Sequence, residues 1–519
     1  MGSVWAFILL WGVWLITPIL VDGVDTVRRL ILVRRARKVG TDHEHLDDEQ
    51  LPSVTVIVPA HNEASVIDRC LQSVKVQDYP ADKLEVIVID DGSTDGTADL
   101  AQAHADGTHP STGTIIRGER IKVGPFNGRF VVIRNGHAGK AHALNTGIQA
   151  SSGEILINID SDVVLEPQCI RAIAEAFTRC PDMAAATGNI EIDWDLLEER
   201  DREGNLVLDD EGLPTPRRLS VTELFLAESQ FLEYLSSFSL GRAAQSETGS
   251  MYTLAGACSA FRRSEFEKCG LYSNRTVSED TDITWALHRA GAKIGFVDAA
   301  RVFLEPVTEL DALYGQRVRW ARGQLEVAAL NSNLIEGAKP DAGRKELPKM
   351  LLMDHTLAFP RLVWTPLVLF FPLLGYSPWL IAIAILAMFV FYVLLELINT
   401  FAVFTIAEED TRHRIERAAW TIAGLPVFRF MVFHFRFSGF LTALTEDQQW
   451  TVTGDFDRTL QRLDIARLRT VQMAGLLLRT ATHLGSLVLT AVVQLAAPML
   501  IGIALVVGQA IVALQRRSS

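Results

Sequence analysis

Pairs of carboxylates follow several of the apolar, β-branched runs in this chain. Asp160 and Asp162 come directly after one such run, with a single residue between them. In an extended segment alternate side chains lie on one face, so both carboxylates would face the same site. Two carboxylates on one face suit a hard cation that keeps waters and takes phosphate oxygens. An acidic loop is the alternative, but a buried pair without a metal would repel, so we favour a metal site.

A second pair, Asp90 and Asp91, follows another apolar run and precedes a glycine turn, while Glu63 follows the first run. Carboxylates at such strand ends could hold the base and ribose of a nucleotide by hydrogen bonds. The structural alternative is a turn followed by a helix that Ser93 or Asp95 caps. These residues alone do not separate the two interpretations.

A third acidic group, Glu279 and Asp280 with Asp282, precedes a helical pattern at 283–290. Acids are common at a helix N-terminus because the helix dipole favours them there, which is the structural alternative. The functional interpretation is a carboxylate in a cleft that acts as a general base. Lys140 is a lesser candidate for phosphate contact, because its Gly-Lys pair lacks the spacing of a P-loop.

Gln316, Arg319 and Trp320 are spaced by three and four residues, which places them on one face of a helix. An amide, a guanidinium and an indole together suit a sugar and a diphosphate. An ordinary helix near a membrane, with its arginine reaching towards water, is the alternative.

The elements that must position these residues lie between 41 and 349. Short β-branched runs at 54–58, 84–89, 130–133 and 155–159 alternate with helical stretches. This alternation predicts a mostly parallel sheet with helices on its faces. Ligands bind at the carboxyl ends of such strands, where the acidic pairs stand. Residues 200–218 are charged and rich in turn pairs, so we expect an exposed hairpin there.

Long apolar segments flank this domain and predict a membrane protein. A run of basic residues after the first segment marks the cytoplasmic side. For 415–445, whose Phe-rich pattern is interrupted by charges, a core helix is the alternative to an interfacial one. The predicted segments are an uncleaved membrane helix at 1–24, the cytosolic domain at 41–349, two membrane helices within 350–406, an interfacial amphipathic helix at 415–445, a cytosolic segment at 446–483 and a last membrane helix at 484–514.

Charge and cysteine content exclude some classes of protein. The net charge is −13, which argues against nucleic acid as a partner. The five cysteines are scattered and form no C-x-x-C pair, so we expect reduced thiols and no zinc site built from them.

In this order, the motifs resemble those of the processive family 2 glycosyltransferases, the membrane synthases of cellulose, chitin, hyaluronan and poly-N-acetylglucosamine. The matching motifs are Asp-Asp-Gly-Ser at 90–93, Asp-x-Asp at 160–162, Glu-Asp at 279–280 and Gln-x-x-Arg-Trp at 316–320. Residues 255–264 also resemble the poly-β-1,6-N-acetylglucosamine synthases, whereas the hairpin at 200–218 and the single N-terminal crossing depart from that group. The segment 446–483 holds a Trp-Thr-Val-Thr sequence placed like the gating loop of cellulose synthases. The resemblance implies a Rossmann-like α/β GT-A domain with flanking transmembrane helices.

The resemblance also implies roles at the matching positions. The donor nucleotide would be bound by Glu63, Asp90, Asp91, Lys140 and Asp160. Asp160 and Asp162 would hold Mg²⁺ or Mn²⁺ at the diphosphate. Asp280 would be the general base, supported by Glu279, while Gln316, Arg319 and Trp320 would contact the diphosphate and the acceptor sugar.

The expected function is that of an inverting, processive transferase in the cell membrane, with its catalytic domain in the cytoplasm. It would polymerise a UDP-sugar, UDP-N-acetylglucosamine before others, into a β-linked exopolysaccharide and give it a route across the membrane. The expected partners are the UDP-sugar, the growing polysaccharide, membrane lipid and a small auxiliary membrane subunit. The alternatives are a different polymer, a non-processive transferase acting on a lipid-linked acceptor, and an inactive scaffold.

Overall fold

The computed structural model describes residues 13–40, 45–109, 113–201, 206–210, 213–331 and 368–445. Within these ranges the strands are β1 (Val54–Ala60), β2 (Leu84–Asp91), β3 (Gly113–Ile116), β4 (Glu119–Lys122), β5 (Arg129–Asn135), β6 (Ile155–Ile159), β7 (Val164–Leu165), β8 (Met183–Ile192), β9 (Cys258–Arg262) and β10 (Lys293–Leu304). The helices of the first half are α1 (Val13–Gly40), α2 (Ile67–Lys75), α3 (Thr97–Ala105), α4 (Lys140–Ala150) and α5 (Cys169–Arg179). Those of the second half are α6 (Val221–Leu235), α7 (Ala243–Thr248), α8 (Arg263–Cys269), α9 (Glu279–Arg289), α10 (Leu310–Leu330), α11 (Pro378–Phe404), α12 (Glu409–Arg417) and α13 (Leu425–Thr445).

The four β-branched runs form one parallel block, as predicted. Their order is β5-β2-β1-β6, and each neighbouring pair is parallel. All residues of β1, β2 and β6 are buried, as expected for strands that helices cover on both faces. The carboxyl ends of these strands therefore meet at one edge, which is where the acidic pairs stand.

The other half of the sheet is mixed, so the prediction of a mostly parallel sheet is wrong there. The full order is β5-β2-β1-β6-β9-β8-β10-β7, and β9 runs antiparallel to both β6 and β8. The chain leaves β8, passes through α6 and α7, and enters the sheet again between two existing strands in the opposite direction. Hydrophobic periodicity records which face of a strand is buried but not the direction of its neighbour.

Two apolar layers cover the faces of the sheet. Val56 of β1 lies in the layer that α2, α5 and α6 fill, whereas its neighbour Ile57 lies in the layer that α4, α8 and α9 fill. This alternation along β1 follows from the two-residue period of a strand. Bridges between Glu198 and Pro216 and between Leu208 and Pro214 form the predicted hairpin in its described residues.

One helix of the described residues, α11, is long and apolar enough to cross a membrane. It coincides with the second of the two membrane helices predicted within 350–406, and it exposes large apolar side chains such as Trp379 (79%) and Ile383 (64%). Residues 409–423 and 425–443 pass the same test only as a pair, bent by 77°. Helix α1 packs beside α11, where Thr26 donates a hydrogen bond of 2.5 Å to Asn399.

The remaining membrane predictions fall largely outside the described residues. That holds for the segments 446–483 and 484–514, for 350–367 and for the first twelve residues of the chain. The predicted interfacial helix at 415–445 corresponds to the end of α12, a 3-10 turn (Ala418–Ala423) and α13.

An ion-pair network fixes α12 to the sheet. Buried Arg301 of β10 contacts Glu191 of β8 at 3.2 Å and Glu408, just before α12, at 2.7 Å. Arg117, between β3 and β4, contacts the same Glu191 at 3.0 Å and also pairs with Asp410. The segment that follows the apolar helix α11 is thus held against the sheet by ion pairs to Arg301 and Arg117.

Candidate active site

The loops after β1 and β2 are joined to each other by hydrogen bonds at the carboxyl edge of the sheet. Asn62 has a φ of 56°, a left-handed conformation that asparagine tolerates. Its backbone N–H donates to Ser93 Oγ at 2.9 Å, and its side-chain oxygen accepts from Thr94 N–H at 2.9 Å. The next two residues continue the pattern, since Glu63 N–H donates to Thr97 Oγ1 at 2.8 Å and Ala64 N–H to an Asp95 oxygen at 3.0 Å. The two loops thus form one connected wall of the site.

Asp90 and Asp91, the predicted uridine ligands, are the last two residues of β2 and are both buried. The Asp91 carboxylate accepts backbone N–H bonds from Ala138 at 2.9 Å and Gly139 at 2.8 Å. Asp90 lies 3.3 Å from the N–H of Ser93. Both carboxylates therefore shape the neighbouring loops, and their predicted contact with a nucleotide stays a prediction.

Asp160, Asp162 and Glu63 bring three carboxylates to the ends of β6 and β1. Burial, followed by the charges of Asp162 and Asp160, raises the pKa of Glu63 to about 7. Asp162 exposes part of its surface, but the surrounding protein still removes water from its carboxylate. That desolvation and the charge of Asp160 raise its pKa to about 6. These carboxylates repel one another, and a divalent cation would relieve the repulsion.

Lys140 occupies the centre of the cleft. As the first residue of α4, its Nζ lies 2.6 Å from Asp160 Oδ1 and 3.0 Å from Glu279 Oε1. Burial opposes its charge, yet Asp160 and Glu279 together raise the pKa of Lys140 well above its usual value. The lysine therefore stays protonated and lies with Asp280 and Gly256 around one cavity.

Asp280 lies in the first turn of α9, which begins at Glu279 rather than at the predicted residue 283. One carboxylate oxygen, Oδ2, accepts the backbone N–H of Gly256 at 3.1 Å. Burial and the charge of Glu279 raise the pKa of Asp280 to about 6, while Lys140 opposes the rise. A carboxylate with this pKa is ionised at pH 7 and is more basic than an exposed one.

Helix α10 fixes the start of α9. At Gly323 the two elements approach so closely that an added Cβ would lie 2.0 Å from the Oγ of Ser278, the residue before α9. Glu326 accepts the backbone N–H of Val277 at 3.1 Å. The helix that carries Gln316, Arg319 and Trp320 thus also determines where Asp280 lies.

The three predicted residues of α10 have different surroundings. Gln316 Oε1 is buried, and no described residue donates a hydrogen bond to it. Trp320 is half-buried, and the Arg317 guanidinium lies 4.6 Å from the centre of its ring. Arg319 is half-buried on the same helix. Because Arg317 is held by Glu233 at 2.6 Å, it fixes one face of the indole.

Helix α13 packs against α10. An added Cβ at Gly439 would lie 2.7 Å from the carbonyl oxygen of Val318, so the two helices nearly touch there. Tyr314 and Phe435 make an edge-to-face ring contact at 5.2 Å. Arg429 of α13 pairs in turn with buried Glu396 of α11. Contacts therefore run from α10 through α13 to the apolar helix.

Some residues of the cleft were absent from the sequence prediction. Gly256 contributes its backbone N–H, which no side-chain pattern in the sequence can indicate. Tyr272 comes from a distant segment and lines the cleft, and its hydroxyl accepts a hydrogen bond from Asn158 at 2.8 Å. His61 and His137 stack with their ring centroids 4.2 Å apart beside Asp91. A signal for the two histidines existed, because His61 directly follows β1 and His137 lies two residues after β5.

Comparison with known proteins gives consistent matches. Residues 55–270 match the family model of glycosyl transferase family 2, and residues 225–407 match that of glycosyl transferase family group 2. The poly-beta-1,6-N-acetyl-D-glucosamine synthase of Staphylococcus aureus is 26% identical over 279 residues, which are 54% of this chain and 56% of that protein. The synthase of the same name from Staphylococcus epidermidis is 26% identical over 322 residues, 62% of this chain and 65% of that protein. The chain thus matches less than two thirds of the length of these curated relatives.

A solved structure with a similar fold is the mannosyltransferase PcManGT from Pyrobaculum calidifontis, in complex with GDP-Man and Mn²⁺. It superposes with a TM-score of 0.51 at 20% sequence identity, covering 82% of this chain and 98% of that one. The likeness concerns the fold, so the expected GT-A arrangement is confirmed, with a mixed rather than mostly parallel sheet.

Proposed function

Because the chain carries a family 2 glycosyltransferase domain, we propose that it is an inverting transferase that extends a β-linked polysaccharide from a UDP-sugar at the cell membrane. The observation that carries the proposal is the placement of Asp280. It lies beside Lys140, Glu279 and the Gly256 N–H, in the cleft that also receives Asp160 from the end of β6.

In the proposed reaction, Asp280 is the general base. Its pKa of about 6 leaves it ionised at pH 7, and the Gly256 N–H orients one of its two oxygens. Oδ1 accepts the backbone N–H of Thr281 at 2.6 Å, whereas Oδ2 lies beside Gly256 and Lys140. Oδ2 would take the proton of an acceptor hydroxyl as that hydroxyl attacks the anomeric carbon. The nucleoside diphosphate leaves from the opposite face in the same displacement, so an α-linked donor yields a β-linked product.

The diphosphate would be bound on the Asp160 side of the cleft. Asp160 and Asp162 fit Mg²⁺ or Mn²⁺, because hard cations accept one or two carboxylates and take their other ligands from phosphates and water. The mutual repulsion of Glu63, Asp160 and Asp162 is the feature of this chain that such an ion would relieve. When bound, the ion supplies positive charge that stabilises the leaving diphosphate. Lys140 supplies a second, permanent positive charge at the same place.

Processivity is proposed from the contacts of α10. Gln316, Arg319 and Trp320 would bind the acceptor end, with the indole of Trp320 held by Arg317 as a platform for a sugar ring. The same helix contacts α13, which is ion-paired with the apolar helix α11. A polymer leaving the acceptor site would therefore meet the membrane directly, with the catalytic domain on the cytoplasmic side and lipid around the exposed apolar residues of α11.

UDP-N-acetylglucosamine is the proposed donor. The support is the 26% identity with synthases named for poly-β-1,6-N-acetyl-D-glucosamine. A small auxiliary membrane subunit remains a proposed partner. The alternative is a lipid-linked acceptor that receives a single sugar. Such a reaction does not require a path from α10 through α13 to the membrane, so we favour processive extension.

The test is nucleotide release and product length with detergent-purified full-length protein. UDP-N-acetylglucosamine, UDP-glucose, UDP-glucuronate and GDP-mannose are each supplied with Mg²⁺ or Mn²⁺. We expect UDP release with the first donor and a product ladder that continues to long chains. A single added sugar would refute processivity, and turnover with another donor alone would refute the donor assignment.

Asp280→Asn tests the base in the same assay. The amide keeps the shape but cannot accept the proton, so we expect the rate to fall by about 10²–10⁴-fold while donor affinity is retained. Asp182→Asn is the control, because this exposed aspartate pairs with Lys293 at the amino ends of β8 and β10, whereas the cleft lies at the carboxyl ends of the strands. Full polymer yield from the Asp280 variant would contradict the assignment.

A further inference from the structure

A cluster of two histidines and one aspartate lies between α2 and α3. Asp68 Oδ1 lies 2.7 Å from His104 Nε2 and 3.2 Å from His109 Nε2. The two imidazole rings are stacked, with centroids 4.0 Å apart and an angle of 14° between their planes. Both rings thus present the same nitrogen to the same carboxylate oxygen.

We propose that Asp68, His104 and His109 form a binding site for a borderline divalent metal ion of the Zn²⁺ class. Their ligand atoms lie within 4.8 Å of one another, the span that one coordinated ion requires. Two imidazoles with one carboxylate form a donor set typical of Zn²⁺ with a fourth position open to water. The Asp68 side chain is 35% exposed, which leaves room for that water.

The surroundings hold the ligands in place. Gln72, one turn along α2, donates from Nε2 to the second Asp68 oxygen at 2.7 Å, which leaves Oδ1 directed at the histidines. The His104 side chain has no exposed surface and that of His109 is 12% exposed. Outer hydrogen bonds of this kind orient metal ligands and raise affinity.

A second group of this kind, His61, Asp91 and His137, is less suited to a metal ion. Both oxygens of its carboxylate already accept backbone N–H bonds, from Ala138 and Gly139. The Nδ1 atoms of the two histidines lie 2.8 and 3.1 Å from the carbonyl oxygen of Asp91. An ion there would have to replace bonds that shape the loop, whereas Asp68 Oδ1 contacts the two imidazoles alone among the described residues.

The proposed ion differs in place and in chemistry from the one proposed for the diphosphate. The Asp160 site offers oxygen ligands alone, which suit Mg²⁺ or Mn²⁺, whereas imidazole favours Zn²⁺ and its neighbours in the transition series. Asp68 lies on the helix after β1, and His104 lies on the helix after β2. A bound ion would therefore crosslink the two helices whose preceding loops form one wall of the active site.

The test is titration of tag-free, full-length protein with Zn²⁺ and with Co²⁺, in millimolar Mg²⁺ to occupy the oxygen site. We expect one ion per chain, a cobalt absorption band typical of four-coordination, and a higher melting temperature with Zn²⁺. His109→Gln and Asp68→Asn keep hydrogen-bonding groups but remove one ligand, so each should weaken binding at least tenfold and abolish the thermal shift.

Two control variants separate this site from others. His137→Gln removes a histidine of the second group, and His45→Gln removes an exposed histidine that pairs with Glu175. Both should bind the ion as the unmodified protein does. Absence of binding, or binding that survives both His109→Gln and Asp68→Asn, overturns the proposal. Loss of binding in His137→Gln but not in His109→Gln overturns it in favour of the second group.

Discussion

Replacing Lys140 by methionine removes a positive charge from the centre of the cleft and keeps most of its volume. Its Nζ and the Asp280 Oδ2 lie 3.2 and 3.4 Å from the point that a Cβ on Gly256 would occupy. Because the lysine holds down the pKa of Asp280, its loss should raise that pKa above the present value of about 6. Asp280, the proposed base, would then be protonated at a pH where it is ionised in the unmodified protein.

The size of this shift follows from Coulomb's law. At a separation of about 6 Å and an effective dielectric constant of about 20, one unit charge contributes about 3 kcal/mol, or about two pKa units. Solvent reaching the half-buried lysine reduces this, so a rise of about one to two units is expected. The rate of a base-catalysed step falls below the pKa of the base, so the acidic limb of the rate profile should move to higher pH.

The assay is the rate of nucleotide release at saturating donor from pH 5 to pH 9. The unmodified protein should lose activity below about pH 6, and Lys140→Met should lose it about one to two pH units higher. Lys293→Met is the matched control, since this lysine pairs with exposed Asp182. A limb that stays in place or moves to lower pH in Lys140→Met would refute the proposed coupling between Lys140 and Asp280.

Two further predictions concern stability. Burial raises the pKa of Glu228 in α6 to about 7, above its value in the unfolded chain. Ionisation of Glu228 therefore disfavours the folded state, so the free energy of unfolding should increase as the pH falls from about 7 towards 4.5. The full shift corresponds to about 3 kcal/mol, and solvent screening of the carboxylate reduces this, so Glu228→Gln should stabilise the protein by about 2 kcal/mol at pH 8 and have little effect at pH 4.5. A melting temperature that does not rise at pH 8 would contradict this. Gly147→Ala would place a Cβ 2.6 Å from side-chain atoms of Ile57 and Ile89, so we expect a loss of about 1–3 kcal/mol in thermal unfolding despite the better helix propensity of alanine. An unchanged melting temperature would show that the α4 layer can repack.

The parallel block and the acidic strand ends were predictable because they depend on local signals. β1 and β2 are rich in β-branched apolar residues, and Asp160 follows its strand directly, so pattern and position along the chain were sufficient. The reversed direction of β9 was not predictable, since it depends on where the chain enters the sheet again after α7. The hydrophobic periodicity of β9 does not depend on the direction of strands that are distant in the sequence, so it cannot predict how β9 pairs with them.

The sequence predicted the residue types that form the cleft better than it predicted the contacts between them. Asp280 was singled out as the base, but its raised pKa depends on burial and on Glu279, both of which require the folded structure. Lys140 was expected at a phosphate, yet it lies between Asp160 and Glu279, whose positions come from different parts of the chain. Gly323 of α10 also lies against Ser278, which comes from a different part of the chain. No local sequence pattern predicts that these two segments come into contact.

The hydrogen bonds between the loops after β1 and β2 bear on how this protein can change during evolution. Asn62 exchanges two bonds with Ser93 and Thr94, and Ala64 binds Asp95. An insertion or a lost side chain in one loop would leave donors or acceptors of the other unpaired. Changes in this wall should therefore arise in pairs, so that new donor preferences would be acquired through compensated double substitutions rather than by single steps.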